Sequence, residues 1–262
     1  MVAKESYFAK HKAKLRDAGG DQNAFSKMVQ ATDEQRKQFE EGTVLLIDKP
    51  LHWTSFDVVR KIRNSIRIKK VGHAGTLDPL ATGLLIVCTG KFTKKINEYM
   101  AAKKTYTGSF TLGATTATFD LESKPENIMP VPALNKDALQ DACVPFIGTI
   151  DQFPPIYSAI KKDGVALYEL ARRGVDVELK ARSITIESFE ITVVELPVVY
   201  FKVVCSTGTY IRSLANDYGA ALGCGGYLSA LRRTMIGEYD VDDAQDMLQF
   251  LNQLDGEIKK DN

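Results

Sequence analysis

The stretch VGHAGTLDPLATGLLIVCT, residues 71–89, decides how this chain is read. Its first thirteen residues hold three glycines, Gly72, Gly75 and Gly83, and one proline, Pro79, so Val71–Gly83 is expected to be a structured loop. The apolar run Leu84–Thr89 that follows has the length and composition of a buried strand. A single acid, Asp78, stands inside the loop. The glycines let backbone or ligand approach closely, and Pro79 stiffens the chain just after the carboxyl group. A carboxylate held this way suits a nucleophile or a general base, and the same pattern also fits an Asp that caps a turn.

Upstream, Val44–Asp48 (VLLID) reads as a short buried strand ended by Lys49-Pro50. Thr54 followed by Asp57 forms a capping-box start, and Phe56, Val59, Ile62 and Ile66 continue at helical spacing to about Arg67. Downstream, a helix is expected over Lys91–Ala102, a strand over Thr105–Leu112, a Pro-rich loop over 121–134 and a helix over Lys136–Ile147. Residues 183–205 are rich in β-branched side chains, but Ile184 and Ile186 have the opposite parity to Phe189, Ile191 and Val193. A bulge or turn near Glu187-Ser188 reconciles them. Phe201, Val203 and Cys205 alternate in the next strand. A helix over Thr209–Leu222, a strand over Tyr227–Thr234 and a helix over Asp243–Leu254 complete the pattern. Strands and helices mix without a regular βαβ period, so the expected class is α+β.

Composition removes several alternatives. The 262 residues carry 34 Lys+Arg and 33 Asp+Glu, a net charge of +1, which excludes a protein that binds nucleic acid by bulk charge. Four cysteines, none at C-x-x-C spacing, make neither a disulfide framework nor a zinc ribbon, and three scattered histidines without H-E-x-x-H predict no metal site. No G-x-x-x-x-G-K-[ST] phosphate loop is present. The N-terminus lacks an apolar secretory region and no run approaches ~20 apolar residues, so the expected location is cytoplasmic.

The motif GHAGTLDPLATGLL (72–85) resembles the catalytic motif of the TruB family of tRNA pseudouridine synthases. The resemblance continues in LLIDKP with TS after it (45–55), KKTY (103–106), PPIYSAIKKDGVALYELARRG (154–174), STGTYIRSLANDYG (206–219) and YLSALRRTMIG (227–237). It spans about residues 42–250 in family order. It implies a pseudouridine-synthase fold with a central mixed, largely antiparallel sheet flanked by helices. It also implies isomerisation of the uridine at position 55 in the T loop of tRNA. The base would be flipped out and its glycosidic bond broken and re-formed, with no cofactor. By the resemblance, Asp78 is the catalytic aspartate, Tyr106 stacks on the extruded base, and Arg212 pairs with Asp78. Leu231 lies beside the base, and His73 fills the stack that the flipped nucleotide vacates. Lys49 joins the substrate-binding set and, with Pro50, supports the loop; Tyr210, beside Arg212, joins the same set.

Extruding a base requires compensating RNA contacts. Residues 60–70 (RKIRNSIRIKK) hold six Lys/Arg and no acid, and Lys91, Lys94, Lys95, Lys103 and Lys104 follow. Both groups flank the loop in sequence and are expected to bind phosphates, with Lys69 and Lys70 foremost; Arg172, Arg173, Arg232 and Arg233 are further candidates. Two departures from the family stand out: His52 where a Gly is usual, with Trp53 beside it, and Gly226-Tyr227 where Ala-His is usual. The expected organisation is an N-terminal extension over 1–38, partly helical or disordered, and a catalytic domain over 39–262. That domain carries an RNA-gripping insertion at about 120–180 and no C-terminal PUA domain, and it acts as a monomer. The alternatives are a pseudouridine synthase acting on another RNA with a similar loop, and an RNA-binding or tRNA-folding protein.

Overall fold

The structure is a computed structural model that describes residues 29–158, 161–162, 164–175 and 179–256. The chain divides into two units, Met1–Tyr106 with Leu231–Asn262, and Thr107–Ala230. Helices and strands in chain order are α1 (Asp33–Glu41), β1 (Val44–Lys49), α2 (Ser55–Ile66), β2 (Val71–His73), β3 (Ala81–Thr89), α3 (Ile96–Ala101) and β4 (Lys104–Leu112). There follow β5 (Thr115–Thr116), β6 (Pro125–Glu126), α4 (Lys136–Asp141), β7 (Gly148–Gln152), β8 (Lys161–Lys162), β9 (Val165–Ala166) and α5 (Leu167–Arg172). The remainder is β10 (Arg182–Glu195), β11 (Val198–Cys205), α6 (Ile211–Ala221), β12 (Gly226–Ile236), β13 (Tyr239–Asp240) and α7 (Met247–Leu254).

In the first unit β3 is central. It pairs antiparallel with β1 and β2 and parallel with β12, and β13 pairs antiparallel with β12. All nine residues of β3 are buried, as an apolar run without alternation requires when both faces are covered. Leu45, Ile47, Leu85 and Val87 face one way and pack with Val58 and Ile62 of α2 and Phe250 and Leu251 of α7. Leu84, Ile86 and Cys88 face the other way, with Ile236, Phe92 and Ile96.

The capping box that starts α2 is formed as the sequence predicts. Thr54 accepts from the Asp57 backbone N–H, and the Asp57 carboxylate accepts from Thr54. Helix α1 lies partly inside the expected N-terminal extension. It has its own Thr32–Gln35 capping box, and Val29 and Phe39 join the first core face. Residues 1–28 lie outside the described residues.

In the second unit β10 lies between β11 and β7, antiparallel to both. A register shift between Ile186 and Ser188 carries β10 through the parity change as one bulged strand of 14 residues. The core is aromatic. Phe110 stacks on Phe201 with centroids 4.1 Å apart, Phe189 meets both edge-on, and the buried Tyr218 hydroxyl donates to the Leu139 carbonyl at 2.7 Å. The pairings make a mixed, largely antiparallel sheet flanked by helices, within an α+β class.

Several expected boundaries shift. The loop expected over Val71–Gly83 contains β2 and the first three residues of β3, because pairing of β2 with the far half of β3, and of Ala81–Gly83 with β12 and β1, overrides the glycine signal. Gly83 accommodates this pairing with φ 102, where an added Cβ would lie 2.3 Å from the Arg233 carbonyl oxygen. The helix expected over Lys91–Ala102 begins as a 3-10 segment, Gly90–Lys95, and the one expected over Lys136–Ile147 ends at Asp141, ahead of Pro145.

Candidate active site

The loop between β2 and β3, residues 74–80, is held from several sides by groups of its own unit. The Ser55 hydroxyl, at the first residue of α2 and 1 % exposed, accepts from Leu77 N–H at 2.9 Å and donates to the Leu77 carbonyl at 3.3 Å. His52 N–H donates to the Pro79 carbonyl at 2.8 Å, and Ala81 N–H to the Asp78 carbonyl at 3.0 Å. Arg233 donates to the Gly75 carbonyl at 3.0 Å and to the Leu84 carbonyl at 2.8 Å. Asp78 therefore stands, half-buried, on a backbone tied down on both sides of it.

Lys49, at the end of β1, is fully buried, and its ammonium donates to the carbonyls of Pro50 at 3.0 Å and Trp53 at 2.5 Å. Burial pushes its pKa down to about 8, opposed chiefly by the Asp78 carboxylate and reinforced by the Arg233 guanidinium. Lys49 thus braces the turn that leads to His52 and contributes positive charge beside Asp78. It donates to backbone rather than facing solvent. Register places Leu231, 7 % exposed, opposite Ala81, whose N–H holds Asp78. Tyr106 is buried near the start of β4, next to Thr105, whose carbonyl accepts from Thr234 of β12 at 3.3 Å.

His73 is half-buried at the end of β2. Burial, with the charge of Arg233, lowers its pKa, against a backbone hydrogen bond at Gly75 that raises it. Lys69 and Lys70 are exposed just before β2, about 10 Å of strand from His73 at ~3.3 Å per residue. Of the other expected phosphate ligands, Arg67, Lys94, Lys95 and Lys103 are exposed. Arg60 pairs with Asp57 at 2.7 Å and Lys91 with Glu41 at 2.9 Å.

Three of the expected cations do other work. Lys104 is buried and donates to the Met100 and Ala102 carbonyls. Arg232 forms a two-pronged pair with Asp48, at 2.9 and 2.6 Å. Arg233 is 1 % exposed and holds the loop. These groups lie in strands covered on both faces, so charge type alone misplaced them at the surface. The side chain of Arg172 lies outside the described residues, and Arg173 is exposed, 3.8 Å from Glu169.

Within the second unit, Arg212 in the first turn of α6 is 5 % exposed. Its guanidinium lies 3.6 Å from the buried Asp120 carboxylate and donates to the carbonyls of Thr118 at 3.2 Å and Tyr157 at 3.0 Å. Asp120 also accepts from the Thr118 hydroxyl at 2.6 Å and from Glu122 N–H at 3.0 Å, which shapes the 118–123 loop. The half-buried Tyr210 caps α6 through its backbone, which exchanges two hydrogen bonds with the buried Gln152 side chain at 2.8 and 3.1 Å. Ser213 donates to the Phe153 carbonyl at 2.8 Å, so the 152–157 segment is bound to the start of α6.

Sequence reasoning missed Ser55, Arg233 and Asp120 as supports. For Ser55 the signal was present in the TS pair, where one residue caps and the next is spare; for Asp120 nothing local distinguishes it from a turn acid. No group of three His, Cys, Asp or Glu that could hold a metal occurs among the described residues. No described helix is long and apolar enough to cross a membrane.

Residues 63–211 match the TruB family pseudouridylate synthase N-terminal domain, and residues 212–260 match the tRNA pseudouridylate synthase B C-terminal domain. A tRNA pseudouridine synthase B of Flavobacterium johnsoniae is 53 % identical over 221 residues, covering 82 % of this chain and 96 % of the relative. Its counterpart in Phocaeicola vulgatus is 48 % identical over 223 residues, covering 83 % and 95 %. Among solved structures, a chain of a Cbf5-Nop10-Gar1 complex superposes with a TM-score of 0.63 at 28 % identity over 84 % of this chain. A chain of an H/ACA RNP bound to a substrate RNA containing 2′-deoxyuridine gives 0.62 at 26 % identity over 90 % of this chain. This chain spans only 58 % and 63 % of those two longer chains. The matches run from Arg63 through the Asp78 loop and Arg212 to the last helix, and on that ground the chain belongs to the TruB family of pseudouridylate synthases.

Proposed function

We propose that this chain isomerises uridine to pseudouridine at position 55 in the T loop of tRNA, acting as a monomer in the cytoplasm. The reaction breaks the N1–C1′ bond, turns the base and joins C5 to C1′; the proton on C5 is lost and N1 regains one, so the uridine keeps its composition. The observation that carries the reading is the clamped loop. The Asp78 carboxylate stands on a backbone held by Ser55, His52 and Arg233, with the buried Lys49 ammonium beside it. Such preorganisation keeps a reacting group within the small tolerance that catalysis requires. A protein that only folded tRNA would need no carboxylate there.

Asp78 acts on the ribose or base, Tyr106 stacks on the extruded uracil, and Arg212, steered by Asp120, supplies the charge that pairs with Asp78. Leu231 packs beside the base, and His73 fills the vacated stack. Lys49 and Tyr210 complete the substrate-binding set. Lys69 and Lys70 bind backbone phosphates, and a segment at about 120–180, inserted in a catalytic domain over 39–262, grips the RNA. Incubation with unmodified tRNA followed by pseudouridine mapping tests this: product at the T-loop position is expected. Product elsewhere moves the substrate to another RNA loop, and binding without product leaves a folding role.

A further inference from the structure

Beside the candidate catalytic loop lies a cleft of about 320 Å³ lined by His52, Trp53, Asp57, Arg60, Lys61 and Asn64. The last four follow one another along one side of α2, and His52-Trp53 form the turn before it. That turn is tied to the loop, since His52 N–H donates to the carbonyl of Pro79, the residue after Asp78. The lining carries two cations and one carboxylate. The carboxylate is already engaged: Asp57 accepts from Arg60 at 2.7 Å through one oxygen and from the Thr54 hydroxyl at 2.6 Å through the other. Burial lowers the pKa of the Lys61 ammonium, a cost that an incoming anion would offset. His52 is held at φ 66, in the left-handed region that favours glycine, so an imidazole is kept at the cleft against a backbone preference. The volume lies at the low end of the ~300–1,000 Å³ range of small-ligand clefts.

We propose that this cleft receives one unpaired nucleotide of the RNA substrate, distinct from the isomerised uridine, with its base against Trp53 and its phosphate near Arg60 and Lys61. An aromatic wall joined to cations is the chemistry that takes single-stranded RNA, because every base offers a face to stack and every nucleotide a negative phosphate. The Asn64 carboxamide provides a donor and an acceptor for a base edge. The inference rests on the RNA-substrate reading above and adds a second contact on the turn that is hydrogen-bonded to the catalytic loop.

Trp53 is the chain's single tryptophan, so the wild-type protein carries its own probe. Unmodified tRNA is titrated while tryptophan emission and filter binding are followed in parallel. Quenching of Trp53 with the same midpoint as filter binding is the expected result. Binding with unchanged emission overturns this inference and leaves the RNA reading standing; no binding by either measure overturns both. A second measurement uses His52→Gly and Trp53→Phe, which suit the local backbone and packing. Loss of the His52 imidazole from the cleft wall is expected to weaken tRNA binding roughly 5-fold or more, with Trp53→Phe, which keeps an aromatic face for the base, retaining most of the affinity. Unchanged affinity in His52→Gly together with an unquenched Trp53 overturns the proposal.

Discussion

Ser55→Ala separates the clamp on the candidate catalytic loop from ordinary helix stability. Ser55 is buried and its hydroxyl is the partner of both Leu77 backbone groups, one residue before Asp78. Removing it orphans a buried N–H at a cost of about 1–3 kcal/mol, while alanine in the helix returns up to ~0.5 kcal/mol. The expected net loss is about 0.5–2.5 kcal/mol, or roughly 1–10 °C in Tm at ~2–4 °C per kcal/mol for a chain of this size. Released from Ser55, the backbone that carries Asp78 can move, and a displacement of ~1 Å can lower the rate by about 10²-fold. Thr54→Ala, one residue earlier, removes the α2 cap at a similar cost of about 1 kcal/mol without touching the loop. The assay pairs urea denaturation with single-turnover pseudouridine formation on unmodified tRNA. Ser55→Ala should lose stability and most activity, Thr54→Ala only stability. Equal activity in the two variants would refute the clamp.

Other outcomes follow from the same geometry. Asp120→Asn removes the buried carboxylate 3.6 Å from the Arg212 guanidinium and should cost about 3–5 kcal/mol in chemical denaturation; a loss below ~1 kcal/mol contradicts the pairing. Lys49 has a folded pKa near 8 against an unfolded 10.5, so the folded state binds fewer protons between those values. Wild type should therefore gain stability relative to Lys49→Met as pH rises from about 8 towards 10.5, and a flat difference argues against the buried ammonium. Gly83→Ala forces a Cβ onto the Arg233 carbonyl at positive φ and should destabilise the first unit by at least ~1–3 kcal/mol, read by thermal melting. Neutralising both Lys69 and Lys70 should weaken tRNA binding and reduce the slope of log K against log salt by up to ~0.9 per lost phosphate contact. An unchanged slope returns those residues to solvent.

What could be read from sequence was local. The Thr54–Asp57 cap, the β10 bulge near Ser188 and the buried run of β3 each follow from residues within a few positions of one another. The supports of the candidate site do not. Leu77 is held by Ser55, 22 residues away, Gly75 by Arg233, 158 away, and Arg212 by Asp120 across the β7–β11 segment. Nothing in the order of residues shows such contacts, which depend on strand pairing over long separations. The same limit explains Arg232 and Arg233. Two adjacent arginines look like a surface patch, yet β12 lies against β3, and both side chains turn inward to Asp48 and to loop carbonyls. The +1 net charge likewise hides a division of labour among cations. Lys49, Lys104, Arg212, Arg232 and Arg233 are buried braces, whereas Arg67, Lys69, Lys70, Lys94 and Lys95 remain at the surface, where RNA can reach them.

The central claim is that the carboxylate of Asp78 performs the chemistry. Asp78→Asn, which keeps size and loop geometry, should bind unmodified tRNA with near wild-type affinity and yield no pseudouridine when the T loop is mapped after single-turnover incubation. Pseudouridine formed by the variant at a rate comparable to wild type would contradict the account.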